Sequence, residues 1–356
     1  MKGLPMKELN YHEEQKIHNI NKLREIEKTL PAFVKTFFRG IEPVTQSRTR
    51  IAYAEDLKVF FDFLKENNPA FRGKEMSDMR DPSILEMFTA EDIEEFLDYL
   101  KLYENPDGKK LTNSEAGIKR KISALRAMYN YYHSRKIINE NPTMQVRVPK
   151  IHEKNIIRMD PNEVVEFLDT VESGKNLSKK SLSFHEKNKV RDLAITTLLL
   201  GTGIRVSECV GLDIKDLDLE NDRINIIRKG GNESFVYFGD EVHDALCDYM
   251  DERKKIIPET GSENALFLSS HKKRMCVRNV EFMVKKYAKL SVSTKKITPH
   301  KLRSTYGTQL YTETGDIYLV AEVLGHKDVN TTKRHYAAID EERRRSAKDA
   351  VKLREK

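Results

Sequence analysis

Residues 300–340 read HKLRSTYGTQLYTETGDIYLVAEVLGHKDVNTTKRHYAAID. Apolar residues recur here at three- and four-residue spacing, which predicts helices over 302–314 and 317–323. His300 and Arg303 lie three residues apart and therefore share one face at the start of the first helix. Because the N-terminal end of a helix favours an anion, the stretch predicts a helical frame that presents this histidine and arginine to an anionic group.

Two further polar features close the same stretch. Leu324-Gly325-His326 ends the second helix, and Tyr336 follows that histidine by ten residues. Each of these residues is ordinary by itself, so their interpretation depends on what the preceding sequence supplies.

An arginine also follows a break in an earlier helix. The apolar run 193–200 predicts a buried helix, and Gly201-Thr202-Gly203 interrupts it shortly before Arg205. Glu208 lies three residues after Arg205 and can hold its guanidinium through a charge-assisted hydrogen bond. Such a pair is common on protein surfaces, so this signal is weak by itself.

A small β region follows the arginine. Short β patterns over 213–219, 223–228 and 234–238 are separated by turns, which predicts a three-stranded antiparallel sheet. Lys229 lies at the tip of the second turn, beside Gly230-Gly231. A lysine on a turn is usually no more than a solvated side chain.

The rest of the C-terminal half is predicted to be helical. A helix begins near Asp160-Pro161, with aspartate as the N-cap and proline at the first helical position. The polar stretch 174–189 is predicted to be a loop between two helices. Further helical patterns cover 242–256 and 277–290, and a charged helix over 340–355 closes the chain.

The N-terminal half carries three clear helix patterns. Apolar spacing predicts helices over 45–67 and 113–138, and a capping box at Thr89 opens another between them. Residues 51–100 hold 5 Lys or Arg against 13 Asp or Glu, whereas residues 101–150 hold 11 against 4. A localised basic face suits a polyanion such as DNA. The candidate DNA contacts are Lys119, Arg120, Lys121 and Arg126.

Length and composition set the outer bounds. The chain has 356 residues, enough for two domains, and a net charge of +7. We place an N-terminal extension at 1–40, a helical DNA-binding domain at 41–150, a basic linker at 151–158 and a second domain at 159–356. The 3 cysteines are widely spaced, and neither a secretory signal nor a long apolar run is evident, which favours a reducing cytoplasm.

The order of these features is more informative than any one of them. Arg-x-x-Glu, the hairpin lysine, His-x-x-Arg, Leu-Gly-His and tyrosine closely resemble the active-site set of the tyrosine recombinases, also called the phage-integrase family. Three stretches match its motifs: TGIRVSE at 202–208, TPHKLRSTYGTQL at 298–310 and LGHKDVNTT at 324–332.

The resemblance implies a mainly α fold with a small antiparallel sheet, of the α+β class. It also implies a SAM-like core-binding domain, with weaker motif support, and a catalytic domain that together form a C-shaped clamp on DNA.

The resemblance also implies a role for each residue of the set. Arg205 and Arg303 would clamp the phosphate, Tyr336 would attack it, and His300 would act as acid or base. The remaining implied roles are Lys229 as general acid for the leaving 5′-oxygen, His326 as a hydrogen-bonding group and Glu208 as support.

The implied reaction forms a covalent 3′-phosphotyrosyl intermediate, which stores the bond energy, so neither ATP nor a metal is expected. The histidines lack HxxxH spacing and carboxylate support, and no metal site is predicted.

Among bacterial members of the family, the length and the 300–340 segment are most similar to a single-protein recombinase that resolves chromosome dimers. This implies double-stranded DNA with a dif-like site as the substrate, and an FtsK-type DNA translocase as a candidate partner. The charged segment 340–356 has few apolar anchors, so we expect it to dock on a neighbouring protomer of a homotetramer.

Two departures and three alternatives stay open. Many relatives place the tyrosine nine residues after the histidine, and here it is ten, while Ser304 and Gly307 replace residues that are often larger.

One alternative is the integrase of a phage or conjugative element, although 1–39 lacks an evident β-rich arm-binding module. The others are a type IB topoisomerase-like relaxase and a catalytically inactive DNA-binding protein, which the intact residue set disfavours.

Overall fold

The structure, a computed structural model, describes residues 10–71, 75–104, 108–150, 157–228, 230–326 and 329. The chain divides into two compact units, Met1–Glu153 and Lys154–Lys356. Each is described here by itself. Among the described residues, no helix combines the length and the apolar character that crossing a membrane requires.

The first unit is a bundle of helices with one small hairpin. Its helices are α1 (Tyr11–Glu27), α2 (Ala32–Ile41), α3 (Ser47–Asn67), α4 (Ala90–Tyr99) and α5 (Glu115–Ser134). Strands β1 (Tyr103–Glu104) and β2 (Lys110–Leu111) pair antiparallel between α4 and α5. The capping box predicted at Thr89 is confirmed: its side chain accepts from the Asp92 N–H, and the Asp92 side chain accepts from the Thr89 N–H.

Aromatic side chains fill the core of this unit. Phe60 lies edge-on to Phe61, Phe88 and Phe96. The hydroxyl of the buried Tyr132 donates to the carbonyl of Phe33 at 2.6 Å, which satisfies its polar end. Residues of the stretch set apart above as an N-terminal extension also belong to this core: Leu30, Phe33, Val34, Phe37 and Phe38.

The second unit has eight helices in its described part and one sheet. The helices are α6 (Pro161–Ser173), α7 (Lys179–Glu186), α8 (Lys189–Thr202), α9 (Val206–Gly211), α10 (Asp240–Arg253), α11 (Val277–Ser291), α12 (Pro299–Thr314) and α13 (Ile317–Leu324). The predicted sheet is confirmed: β3 (Leu217–Asp218), β4 (Arg223–Ile227) and β5 (Glu233–Tyr237) pair antiparallel in that order. The apolar helix α8 packs against α6, α10 and α12.

The prediction of a loop over 174–189 is wrong, because α7 lies inside it. Ser178 caps this helix, its hydroxyl accepting the Ser181 N–H at 3.3 Å. His185 is the one fully buried residue of α7, and the lysines lie on its exposed sides. The helix therefore lacks the apolar stripe from which a helix is normally recognised in a sequence.

A glycine at the end of α8 allows the elements of the site to approach closely. Gly203 has a left-handed backbone with φ of 62°. A Cβ atom at this position would lie 2.4 Å from the Tyr306 ring and 2.9 Å from Leu324. Both the backbone conformation and the space therefore require glycine, and α12 and α13 can pack directly against the segment that leads to Arg205.

Candidate active site: an arginine cluster at the end of helix α13

Arg205 and Glu208 form a salt bridge at the start of α9. A guanidinium Nη1 of Arg205 lies 2.8 Å from Glu208 Oε1, and the Arg205 backbone N–H donates to Oε2 at 2.7 Å. The second guanidinium nitrogen donates to the Gly325 carbonyl at 3.3 Å. The pair predicted from the sequence is therefore present, and it reaches across to the end of α13.

Arg303 approaches the same helix end from α12. The residue is only 4% exposed. It donates one hydrogen bond to the Gly203 carbonyl at 2.6 Å and another to the Leu324 carbonyl. Arg205 and Arg303, which are 98 residues apart in the sequence, thus converge on the C-terminal carbonyls of α13.

A third arginine, which the sequence reasoning missed, completes the cluster. Arg228 follows β4, and its Nη2 donates to the Val323 carbonyl at 2.6 Å. Its Nη1 lies 3.4 Å from the Leu324 carbonyl and 3.7 Å from Glu208 Oε2. The available signal was its position directly before Lys229, but a basic residue at a turn is too common to be selected from sequence.

We refer to Arg205, Arg228, Arg303 and Glu208 as the arginine cluster. It holds three guanidinium groups and one carboxylate, and the carbonyl dipoles of the α13 end contribute further acceptors. Burial lowers the pKa of the Arg228 guanidinium, the Glu208 charge opposes this, and the Arg205 charge adds to it. The cluster still carries excess positive charge, because arginine keeps its proton in proteins. Such a set suits the oxygens of a phosphate.

The two predicted histidines lie beside these elements. His300 is exposed in the first turn of α12, one turn before Arg303. His326 directly follows Gly325, and its backbone N–H donates to the Ala321 carbonyl at 2.8 Å. The backbone of His326 is thus held at the same helix end that the arginines contact.

Lys229, Tyr336 and the segment 340–356 lie outside the described residues. The turn that flanks Lys229 is described on both sides. The Arg228 backbone N–H donates to the Asn232 carbonyl at 2.8 Å, and the Gly231 N–H donates to the Arg228 carbonyl at 3.0 Å. In the described parts of the chain, no three His, Cys, Asp or Glu side chains come together as a set of metal ligands.

The candidate DNA contacts on α5 divide into two kinds. Lys119 and Arg120 are exposed, although Arg120 also pairs with Asp56 at 2.8 Å. The prediction that Lys121 contacts DNA needs correction, because the residue is only 7% exposed. Its ammonium lies 3.0 Å from Asn113 Oδ1 and 3.6 Å from Asp56 Oδ1. It occupies the inner face of the helix, where it neutralises a buried carboxylate. Arg126 is half-buried and donates to the carbonyls of Thr143 and Val146.

Comparison with known proteins places this chain in a family. The model of the phage integrase family matches residues 158–343. The chain belongs to this family, the tyrosine recombinases, which are site-specific enzymes that break and rejoin DNA.

Individual relatives match over most of their length. The tyrosine recombinase XerS of Streptococcus agalactiae serotype III (strain NEM316) is 31% identical, over 91% of this chain and 97% of the relative. The tyrosine recombinase XerC of Caldanaerobacter subterraneus subsp. tengcongensis is 33% identical, over 83% and 79%. The structure of XerH recombinase bound to its difH substrate matches with a TM-score of 0.60. The match covers 97% of this chain and 98% of that one at 20% identity, and it supports the fold.

Proposed function

We propose that this recombinase resolves chromosome dimers at a dif-like site in the cytoplasm, during chromosome segregation and cell division. The similarity to XerS supports the proposal, because it extends over 91% of the chain and 97% of the relative rather than over the catalytic unit alone. The observation that carries the chemistry is the arginine cluster, whose excess cations meet at one helix end.

The first proposed step is attack on the DNA backbone. The Tyr336 oxygen forms a bond to phosphorus while the bond from phosphorus to the 5′-oxygen breaks. Arg205 and Arg303 would exchange their bonds to carbonyl oxygens for bonds to the non-bridging oxygens, where negative charge increases in the pentavalent state. An arginine suits this role better than a lysine because its planar fork can hold two oxygens at once.

Proton transfers accompany this attack. His300, whose unperturbed pKa of about 6.5 suits the task, would take the phenolic proton of Tyr336. Lys229 would give a proton to the leaving 5′-oxygen, and His326 would hydrogen-bond the phosphate or orient the tyrosine. The resulting 3′-phosphotyrosyl bond conserves the energy of the broken link, so rejoining reverses the step with a 5′-hydroxyl of the partner strand.

Nicked suicide substrates with candidate chromosome-terminus sites test both levels of the proposal. We expect the wild type to form a covalent adduct with such a site and Tyr336→Phe to form none. An adduct with Tyr336→Phe would refute the nucleophile, and binding without any adduct on both chromosome-terminus sites and mobile-element ends would indicate an inactive DNA-binding protein. Preference for the ends of a mobile element over a dif-like site would establish an integrase, and relaxation without strand exchange would establish a topoisomerase-like enzyme.

We further propose that residues 340–356 dock on a neighbouring protomer and couple the subunits of a DNA-bound homotetramer. The support is the composition of the segment, which has few apolar anchors to bury within its own unit. Deleting residues 341–356 should abolish recombination between two sites while single-site cleavage partly persists. Full recombination by the truncated protein would refute the coupling. Recombination with or without an added FtsK-type translocase measures whether that partner is needed.

A further inference from the structure

We propose that Arg228 is a positioning residue that ties the hairpin carrying Lys229 to the end of α13, and thereby places the general acid beside the phosphate. The inference deepens the proposed function and rests on the proposed role of Lys229. Arg228 itself is not required to touch the DNA.

The side chain of Arg228 is held at three points. Its guanidinium donates to the Val323 carbonyl at 2.6 Å, reaches the Leu324 carbonyl at 3.4 Å and lies 3.7 Å from Glu208 Oε2. The side chain is only 11% exposed. Val323 is 95 residues away in the sequence, so these bonds join two distant parts of the unit.

The backbone of Arg228 is held as well. Its N–H and its carbonyl both take part in the closing hydrogen bonds of the turn, to Asn232 and Gly231 respectively. The next Cα along the chain is about 3.8 Å from a residue fixed in this way. The backbone that leads into Lys229 is therefore attached through Arg228 to α13, the helix whose end also contacts Arg205 and Arg303.

Gly325 shows how closely this contact fits. A Cβ atom at Gly325 would lie 3.0 to 3.2 Å from the guanidinium and Cδ of Arg228. Its backbone has φ of 61°, which favours glycine in any case. The turn between Leu324 and His326 is thus packed against Arg228. The β4–β5 hairpin and the turn that leads to His326 are therefore in direct contact through this one side chain.

Arg223 offers a matched control in the same hairpin. It lies at the opposite end of β4, where it bonds to Asp218 at 2.8 Å and stacks over the Phe235 ring at 4.5 Å. Its side chain is 32% exposed, and among the described residues both of these partners belong to the sheet. A substitution at Arg223 changes the same residue type in the same hairpin, at the end that lies away from α13.

The test uses single-turnover cleavage of nicked DNA with either a normal 5′-oxygen or a bridging 5′-sulfur at the scissile phosphate. With sulfur, the bond from phosphorus to sulfur breaks and the thiolate leaves without a proton, so the general acid is no longer needed. We expect Arg228→Met to cleave the oxygen substrate about 10²-fold more slowly, the size of a general-acid effect, and the sulfur substrate at nearly the wild-type rate. Arg223→Met should cleave both like the wild type.

Two further variants keep the test decisive. Arg228→Lys retains the charge but loses the fork that spans two carbonyls, so its defect with oxygen should be intermediate and should likewise disappear with sulfur. If Arg228→Met fails to fold, which its urea midpoint would reveal, Arg228→Lys carries the test. Arg205→Met should remain slow on both substrates, because the phosphate still needs its clamp.

Equal defects of Arg228→Met on the two substrates would overturn the inference, since the residue would then act on the phosphate or on the fold. Wild-type rates on both would overturn it as well. Lys229→Ala separates the two proposals: rescue of this variant by sulfur supports the general acid on which the inference rests. If Lys229→Ala stays slow with sulfur, that acid role fails and the inference falls with it, whereas an adduct lost in Tyr336→Phe still upholds the nucleophile.

Discussion

Two arginine sites in the second unit, Lys154–Lys356, differ in how their charge is matched. In the arginine cluster, Arg205 and Arg228 face Glu208, and all three guanidiniums reach carbonyls at the end of α13. In the second site, Arg191 faces the buried Asp192 at 2.6 Å, and Lys286 approaches from the surface at 3.9 Å. The hydroxyl of Tyr287 donates to the other oxygen of Asp192 at 2.9 Å.

The difference distinguishes a site for a ligand from a site for stability. Arg191 and Asp192 pair one guanidinium with one carboxylate, and the additional cation, Lys286, is 31% exposed and so keeps contact with solvent. The arginine cluster has more guanidiniums than carboxylates and relies on carbonyl dipoles, which a phosphate oxygen can replace. Burial alone therefore does not mark an arginine as a candidate phosphate ligand, and the excess of guanidiniums at one point is the feature on which that proposal rests.

The largest expected effect comes from breaking the arginine cluster. Arg303→Met should slow strand cleavage about 10²–10³-fold, because one donor to the developing charge is lost. Its free energy of unfolding should change by only about 1 kcal/mol, since lost bonds to carbonyls are offset by relieved repulsion between guanidiniums. Quenched-flow cleavage and urea titration measure the two quantities.

Arg253 provides the control for this variant. It is also 4% exposed and bonds to the carbonyls of Glu263 and Ala265, but it stands apart from the cluster. Arg253→Met should lose stability and keep its cleavage rate per folded molecule. A cleavage defect as large as that of Arg303→Met would break the comparison.

Breaking the matched site should give the opposite pattern. Asp192→Ala leaves Arg191 without its carboxylate and should lower the free energy of unfolding by about 3 kcal/mol. The cleavage rate per folded molecule should stay at the wild-type value at a temperature where the variant is folded. An unchanged urea midpoint would show that the pair does not stabilise the unit.

The same contrast between matched and unmatched cations can be tested on α5. Lys119→Ala should weaken DNA binding and reduce the slope of log affinity against log salt by about 1, as expected for one lost phosphate contact. Lys121→Met should leave that slope unchanged, because its ammonium is committed to Asp56 and Asn113. Equal effects of the two substitutions would contradict the correction made for Lys121.

The smallest effect is expected from acid titration of His185. Burial lowers the pKa of this histidine, which lies against Tyr287, the Glu172 carbonyl, Lys286, Glu186 and Asp192. Below about pH 6.5 the unfolded chain binds a proton that the folded ring resists, so stability falls as the pH falls. Urea midpoints at about pH 7.5 and 5.5 should differ less in His185→Gln than in the wild type. An equal difference would assign the acid sensitivity to other groups.

The sequence by itself determined the parts of the protein that depend on neighbours along the chain. Spacing and capping predicted most helices of both units, the turns predicted the β3–β5 sheet, and the pairing of Arg205 with Glu208 followed from a three-residue separation. The order of the motifs gave the family, which the match over residues 158–343 confirms. Helix α7 was missed because its single buried residue leaves no apolar period.

Only the tertiary structure decided which charges meet. Arg205 contacts a carbonyl 120 residues away and Arg228 one that is 95 residues away, and such distances leave no local pattern in the sequence. For the same reason Arg228 looked like an ordinary turn residue, and Lys121 looked like one more surface lysine. Whether a cation is matched depends on what packs against it, and packing brings together residues that the chain keeps far apart.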